Sequence, residues 1–540
     1  MRKDLQVPFM LAITDCQPDL HIINFAGHEA LNETYRFDLW MIGSHPQLDV
    51  RSLLHREAFL SFGESGGGRH GRIEHAARLH KGNRVSLYHL ILVPDLQRLA
   101  QHRQRRTYQD RAIPQLIVRL LEAHGIGTNA YRFEHVNGLY PARPLHIQYD
   151  ESDLHLLQRL CEEEGMHFRF EHRRSGHRLV FSDDPASFPA QPLPVRFKRP
   201  QASDVPRETL LHLAERLGFP QFSRQPADHP QPAHAPSSPH DAHPLTIAAN
   251  HAFQPPGLRG AISPREALSR QRGSRGMERL RCERSDVRGQ SIDTALQCGE
   301  VIQVLDHPEP LLNDQWLLTE VVHAGRQLQV LKGAAAHDAL AILRILVEAQ
   351  RSSPEAEQLQ GNGYCNSFRV IPWATPFRPS ISHPRPIVTG EHFATLQRND
   401  NQPDPPGYRS IRFDWHAQGP EDQPAQRWPM AKVACPEIHR LPAGTRVRVR
   451  YLDNHPERPV ICAALLANPG QDAVTAYPTD CVRLANGQRL HINAHDGFTV
   501  RGRTAELQVD AQRILIVAHA DQQSLKSGWR LSMKARMPSF

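Results

Sequence analysis

Three histidines, His70, His75 and His80, recur in HGRIEHAARLHKG, and three carboxylates, Glu162, Glu163 and Glu164, stand together in LHLLQRLCEEEG. Imidazole and carboxylate are ligands for zinc and the usual acid–base groups. Neither pattern suits that chemistry. The histidines lack a tetrahedral ligand spacing, and their segment predicts a solvated turn and strand. Consecutive helical residues point about 100° apart, so the three glutamates cannot converge on one ligand and predict a solvated helix face. GESGGGRHG at 63–71 invites comparison with a phosphate cradle. No GK[ST] and no helical pattern follow it, so a surface hairpin tip is expected.

Arg446, Arg448 and Arg450, with Trp415 and Trp428 nearby, carry the charge and rings that single-stranded nucleic acid would need. A period of two places the three arginines on one wet face instead. That predicts solvation, or contact with acidic groups across a subunit interface, and no nucleic-acid partner. The basic run RLAQHRQRR at 98–106 reads as a charged connecting surface rather than a site for an acidic partner. HExxH, Walker A and HxE…PCxxC patterns are absent from the sequence. No catalytic, cofactor-binding or metal-ligating residue is assigned, and a non-enzyme is expected. The alternatives are a cell-wall hydrolase, associated with the assembly that the resemblance given below implies, and a nucleic-acid-binding barrel.

These residues need elements to hold them, and 540 residues are too many for one core. Apolar residues are 39% and charged residues 22%, which suits a soluble chain. The 64 basic and 57 acidic residues nearly balance at +7, which gives little support to nucleic-acid binding. No apolar run is long enough to span a bilayer, so no stable membrane insertion is expected. MRKDLQVPFMLAITDC carries Asp4 and Asp15 and lacks a long apolar stretch, which predicts a chain made in the cytoplasm without a secretory signal peptide. The eight cysteines form no CxxC pair and read as reduced, small apolar residues.

Residues 5–100 alternate strand-like runs with turns, as in ETYRFDLWMIG and NRVSLYHLILVPDL. DRAIPQLIVRLLEAHG at 110–125 predicts a helix with Pro114 in its first turn and Gly125 just past its end. In 145–172, Leu145, Ile147 and Tyr149 alternate as a strand. Leu154, Leu157, Leu160 and Cys161 then share a helix face, with Asp150 and Asp153 in an acidic N-cap arrangement. Met166, Phe168 and Phe170 resume the period of two, which predicts one compact strand–helix–strand unit. Residues 221–244, rich in Pro, Ala, Ser and His, predict a flexible insertion. Residues 364–385 predict a stiff Pro-rich linker.

From 386 to 469, short strands punctuated by Gly and Pro predict a small closed β-barrel. Val447, Val449 and Tyr451 form the buried face of one strand there. Residues 470–480 are a short connection. Residues 481–520 predict short strands with turns at Asn486–Gly487 and Asp496–Gly497, whose edges call for oligomerisation or docking. The tail 521–540 lacks a firm pattern.

TYQDRAIPQLIVRLLEAHGI, YDESDLHLLQRLCEEEGMHFRFEH, SFRVIPWATPFRP, IVTGEHFATL, IRFDW and GTRVRVRYLDNHPERPVICAALLANP span most of residues 20–470. In that order they resemble the VgrG family, the trimeric spike proteins of bacterial type VI secretion systems, and more broadly the hub and spike of contractile phage tails. The resemblance implies a mainly β fold. A phage-hub-like region at 1–363 would hold two β-rich, α+β subdomains, followed by an OB-type barrel at 386–469 and a short β-rich trimeric needle at 481–520. It further implies a homotrimer that caps an inner tube protein, carries a tip protein and an effector or adaptor at its C-terminus, and is exported by the apparatus. PDPPGYRSIRFDW, the shortened CPEIHRLPAG and His455 in LDNHPER depart from the family pattern and predict a trimmed barrel.

Overall fold

The computed structural model describes residues 9–15, 19–43, 48–62, 67–82, 85–198, 209–215, 263–332, 334–350, 363–398, 404–415, 428–434 and 436–465, and five backbone segments between 480 and 518. The insertion expected at 221–244, the turns at Asn486–Gly487 and Asp496, and the tail 521–540 lie outside them. The chain divides into two compact units. The first holds 1–104, 111–142 and 151–385, and the second holds 105–110, 143–150 and 386–540.

The first unit opens with β1 (Met10–Ile13), β2 (Leu20–Ala30), β3 (Arg36–Gly43), β4 (Glu57–Ser61), β5 (Gly68–Lys81) and β6 (Ser86–Val93). They pair antiparallel in the order β1-β4-β5-β6-β3-β2. The period of two sets their faces: in β3, Phe37, Leu39 and Met41 are fully buried while Arg36, Asp38 and Trp40 between them are not.

Next come β7 (Arg103–Arg111), α1 (Ile113–Ala123), β8 (Tyr131–Phe133), β9 (Arg143–Ser152), α2 (Asp153–Glu164), β10 (His167–Arg173) and β11 (Gly176–Ser182). Helix α1 starts with Pro114 in its first turn and buries Ile113, Leu116, Ile117, Leu120 and Leu121. The cap of α2 is Ser152, whose side chain accepts from His155 N, and not Asp150. Asp153 instead meets His124 Nε2 at 2.7 Å. Gly165, at φ +71°, ends the helix where a side chain would be strained. Strands β8, β10 and β11 make a separate sheet in the order β10-β11-β8.

The rest of the first unit contributes β12 (Leu193–Phe197), β13 (Thr209–Glu215), α3 (Pro264–Arg284), β14 (Val287–Ser291), β15 (Val301–Leu305), β16 (Gln315–Arg326), α4 (Ala336–Gln350) and β17 (Gly363–Pro372). Strand β16 joins β2, so the sheet continues β2-β16-β15-β12-β13-β14-β17 to twelve strands. Strand β17 also pairs with β16, which closes these last six strands into a ring. Its core includes Val195, Leu210, Ile302, Val304, Leu318, Val321, Phe368 and Val370. Residues 364–372, expected in a linker, are therefore a strand of this ring. Their alternating burial meets two neighbouring strands at once.

In the second unit β18 (His392–Leu396), β19 (Tyr408–Phe413), β20 (Met430–Val433), β21 (Arg446–Tyr451) and β22 (Pro459–Leu465) form a closed barrel in the order β18-β19-β20-β22-β21. The β20–β22 pairing is parallel and the others antiparallel. A five-stranded Greek-key barrel of this kind is the OB arrangement. The shortened CPEIHRLPAG does not open it. Ile438, in the 3-10 turn Pro436–Arg440, is buried in the core, and Arg409 binds the carbonyls of Ile438, His439 and Leu441. His455 also fits its turn, because its Nδ1 accepts from Glu457 N at 3.1 Å while Asp453 and Asn454 take positive φ.

The core of this barrel reaches far back in the chain. Ile147 of β9 is fully buried in it, with Leu145 and Tyr149 packed alongside. Strand β9 pairs with β7, and Tyr108 donates to Gln148 at 3.2 Å. The compact strand–helix–strand unit expected at 145–172 is thus split: most of β9 serves the barrel unit, while α2 and β10 serve the first. Beyond the barrel, β23 (Asp480–Arg483), β24 (Arg489–Asn493), β25 (Gly497–Arg501), β26 (Ala505–Val509) and β27 (Ile514–Ala518) pair antiparallel in sequence.

Candidate functional site

Residues 373–385, WATPFRPSISHPR, form a strap that ends the first unit. Pro376, Pro379 and Pro384 have no N–H to give, so a strap of this composition cannot join a ladder. Its remaining polar groups need side-chain partners, and α2 and α3 supply them. Glu162 accepts from Ser382 N at 2.9 Å and His383 N at 2.8 Å through Oε2, and its Oε1 lies 2.6 Å from His383 Nδ1. Glu163 binds Arg385 at 2.8 Å and Arg159 at 3.1 Å. Glu164 faces Arg272 at 3.4 Å. Glu162 and Glu164 are buried at 2% and 4% exposure. The acidic run is therefore not the solvated face that the sequence suggested. Its members diverge as expected, and each finds a different arginine, imidazole or main-chain donor.

Helix α3 completes the clamp. Arg279 Nε donates to Pro379 O at 2.8 Å, and Cys282 Sγ sits 3.2 Å from Pro376 O. Buried Arg378 of the strap ties back to Gly165 O and Asp183 O and pairs with Glu278 at 2.6 Å. Arg275 bridges Asp183 and Glu164 O. Burial alone would raise the Asp183 carboxyl. Hydrogen bonds from Tyr140 and from the Asn137 and Gly138 amides, together with the Arg275 charge, hold it below the usual carboxylate value. His155 Nε2 lies 3.1 Å from Pro384 O. The clamp fixes a chain segment and exposes no reactive centre.

A second polar cluster has the composition of an active site. Glu29 on β2 pairs with Arg69 on β5 and lies 2.6 Å from His323 Nε2, whose Nδ1 is 2.6 Å from Tyr364 OH. A carboxylate–imidazole–phenol chain is suited to proton transfer. His323 is fully buried, so no substrate can reach it, and the chain joins the two halves of the large sheet. Arg69 belongs to the stretch expected at a hairpin tip. The structure places Gly68–Gly71 in β5, where Arg69 and His70 are both buried on opposite faces of the strand, Arg69 against Glu29 and His70 against His177. GESGG at 63–67 also fits the G-x-S-x-G pattern around a nucleophilic serine. Residues 63–66 lie outside the described residues; that chemistry needs a strand followed by a helix, whereas the described strands on either side, β4 and β5, pair antiparallel.

The other sequence candidates are accounted for. His70 is buried beside His172 and His177, His75 is exposed, and His80 meets Asp338 at 3.1 Å. Among the described residues no three His, Cys, Asp or Glu side chains are grouped to hold a metal ion. Arg446 pairs with Asp414 at 2.6 Å, and Glu391 pairs with Arg448 at 3.0 Å and Arg450 at 2.7 Å. Trp415 stacks on Phe413 at 4.7 Å, so it is packed rather than offered to a base. In the basic run, Arg98 pairs with Asp95 and Arg105 covers the Tyr149 ring. Cys161, Cys282, Cys298, Cys365 and Cys462 are free thiols. Burial raises all five, Cys365 to about 11, which leaves them unreactive. No helix among the described residues is long and apolar enough to cross a membrane.

Residues 28–329 match the phage tail baseplate hub (GPD) family. The chain is 33% identical over 492 residues to the type VI secretion system spike protein VgrG4b of Pseudomonas aeruginosa, covering 86% of this chain and 57% of that protein. It is 33% identical over 483 residues to VgrG5 of the same organism, covering 85% and 57%. The chain thus spans less than two thirds of the length of these curated relatives. A solved structure of the E. coli c3393 protein shares the fold at a TM-score of 0.60 and 20% identity, over 84% of this chain and 99% of that one. That protein is a component of the type VI secretion system with structural similarity to T4 bacteriophage tail proteins gp27 and gp5.

Proposed function

Because the chain belongs to the phage tail baseplate hub (GPD) family, we propose that it is the hub and barrel of a type VI secretion spike. Three copies would cap an inner tube and carry a tip protein and an effector or adaptor through a target envelope. The observation that carries this reading is the order of parts: a twelve-stranded hub sheet, an OB barrel, then a five-stranded antiparallel run. Among the described residues β23 and β27 each pair on one side only. Open edges of this kind are satisfied when copies of a chain associate around a symmetry axis.

The work is mechanical. Barrel and sheet resist compression through cross-strand hydrogen bonds, and the strap is fixed at each of its polar groups named above. Energy would come from contraction of the surrounding sheath, so the chain itself needs no catalytic centre. Export would follow the apparatus rather than a signal peptide.

Light scattering on the purified full-length chain tests the assembly. A mass of three 61.2 kDa chains is expected, and a folded monomer over a broad concentration range overturns it. Peptidoglycan incubated with the pure protein should remain intact, and reproducible cleavage would overturn the non-enzymatic reading.

A further inference from the structure

Three imidazoles meet where the β10–β11 hairpin lies on β5. His70 Nδ1 is 3.1 Å from His177 Nδ1, and the His70 main-chain N–H donates to His172 Nδ1 at 3.3 Å. The Asp95 main-chain N–H donates to His177 Nε2 at 3.1 Å. Tyr35 packs edge-on against His172 and His177 and donates its hydroxyl to His70 O at 2.5 Å. Arg174, at the hairpin turn, covers the Phe59 ring of β4.

Main-chain N–H groups can only donate, and this fixes every tautomer. His177 must accept at Nε2, so its proton sits on Nδ1 and is donated to His70 Nδ1. The His70 proton then occupies Nε2, 4.0 Å from Glu57. His172 accepts at Nδ1 and carries its proton on Nε2, which is buried without a hydrogen-bond partner. All three rings are therefore neutral. A second proton would have to enter at His177 Nε2 against Asp95 N–H, at His172 Nδ1 against His70 N–H, or at His70 Nδ1 against His177 N–H. Each would break a bond that holds the hairpin to β5 or to the Asp95 turn.

We propose that His70, His172 and His177 form an acid-sensitive joint that holds the β10–β11 hairpin against β5 at neutral pH and releases it in mild acid. The charged neighbours do not offset this. Glu57 and Asp95 face the cluster but pair with Arg72 at 3.5 and 2.8 Å, and Asp95 also pairs with Arg98. Arg69, itself paired with Glu29, adds positive charge near His172. Burial, the largest cause, pushes all three imidazoles below the usual histidine value, and His177 falls to about 4. A lowered folded value means that the unfolded chain binds protons first. The joint is then intact above the ordinary value of about 6.5 and weakens as pH falls toward 4. All of its groups belong to one chain, so it does not depend on assembly.

Backbone hydrogen exchange of the full-length chain at pH 7 and pH 5, corrected for intrinsic rates, tests the proposal. Residues 167–182 should lose protection by about twenty-fold from His177 alone, while the barrel strands 392–396 and 446–451 keep theirs. Equal protection at the two pH values would overturn it. The H172Q/H177Q double variant should lose this pH dependence, and its persistence at full size would also count against the joint. If that variant does not fold, exchange at the imidazole C2–H of the natural chain decides. A His177 midpoint near 4 is expected, and one near 6.5 overturns the proposal.

Discussion

The Glu162 carboxylate meets His383 twice, accepting its main-chain N–H at 2.8 Å through one oxygen and facing its Nδ1 at 2.6 Å through the other. The two residues are 221 positions apart in the chain. This contact turns a proline-rich segment into a fixed strap.

Replacing Glu162 by Ala takes the buried carboxylate away from the Ser382 and His383 amides, the first on an exposed residue and the second on a half-buried one. The expected loss is about 2–3 kcal/mol. Limited proteolysis should show new cleavage within 373–385, and Glu162→Gln should fall between the natural chain and Glu162→Ala. Unchanged cleavage in the alanine variant would show that the arginine contacts hold the strap alone.

Glu29, Arg69 and His323 form a buried charged group, so Arg69→Ala should be costlier than a typical substitution. Removing one partner strands the Glu29 carboxylate, at about 3–5 kcal/mol. Burial alone would raise the Glu29 carboxyl, but the Arg69 charge and the His323 contact bring it well below the usual value. A lowered folded value contributes stability above the unfolded value of about 4.5 that is lost as pH falls below it. Denaturant titrations at pH 7 and pH 4 should show this contribution in the natural chain and a smaller one in Glu29→Gln.

Ile147→Ala should destabilise the barrel although the residue lies about 240 positions before it in the chain. Deleting a buried isoleucine side chain costs about 2–5 kcal/mol. Hydrogen exchange should accelerate in β18, β19 and β21. An effect confined to the neighbourhood of α2 would contradict the packing of Ile147 in the barrel core.

The arginine stripe of β21 should not bind single-stranded DNA, because Asp414 and Glu391 already pair with it. Titration of labelled oligonucleotide at low salt should give no retention. Binding that weakens steeply with added salt would restore the nucleic-acid reading.

Much of the fold was legible in local pattern. Val447, Val449 and Tyr451 alternate in the sequence and are all buried in the barrel. Pro114 and Gly125 bound a helix as their backbone preferences require. The candidate site was far less legible. The 100° between consecutive helical residues makes a solvated face the local expectation for Glu162, Glu163 and Glu164, and the partners at 382–385 lie more than 200 residues away. His70 and Arg69 followed a glycine-rich stretch that looked like a hairpin tip, yet the strand had already begun at Gly68.

The sequence by itself determined the periods of two and 3.6, the places where Pro and Gly interrupt them, and the identity of parts set out in a recognisable order. These depend on residues within a few positions of one another, so a linear reading finds them. Tertiary structure alone decided that β9 lends Ile147 to a distant barrel, that β17 closes a ring instead of linking two regions, and that three strands bring Glu29, Arg69 and His323 together. Those outcomes depend on which surfaces exclude water together and which buried charges find partners. That is a property of the folded chain, and no spacing along the sequence encodes it.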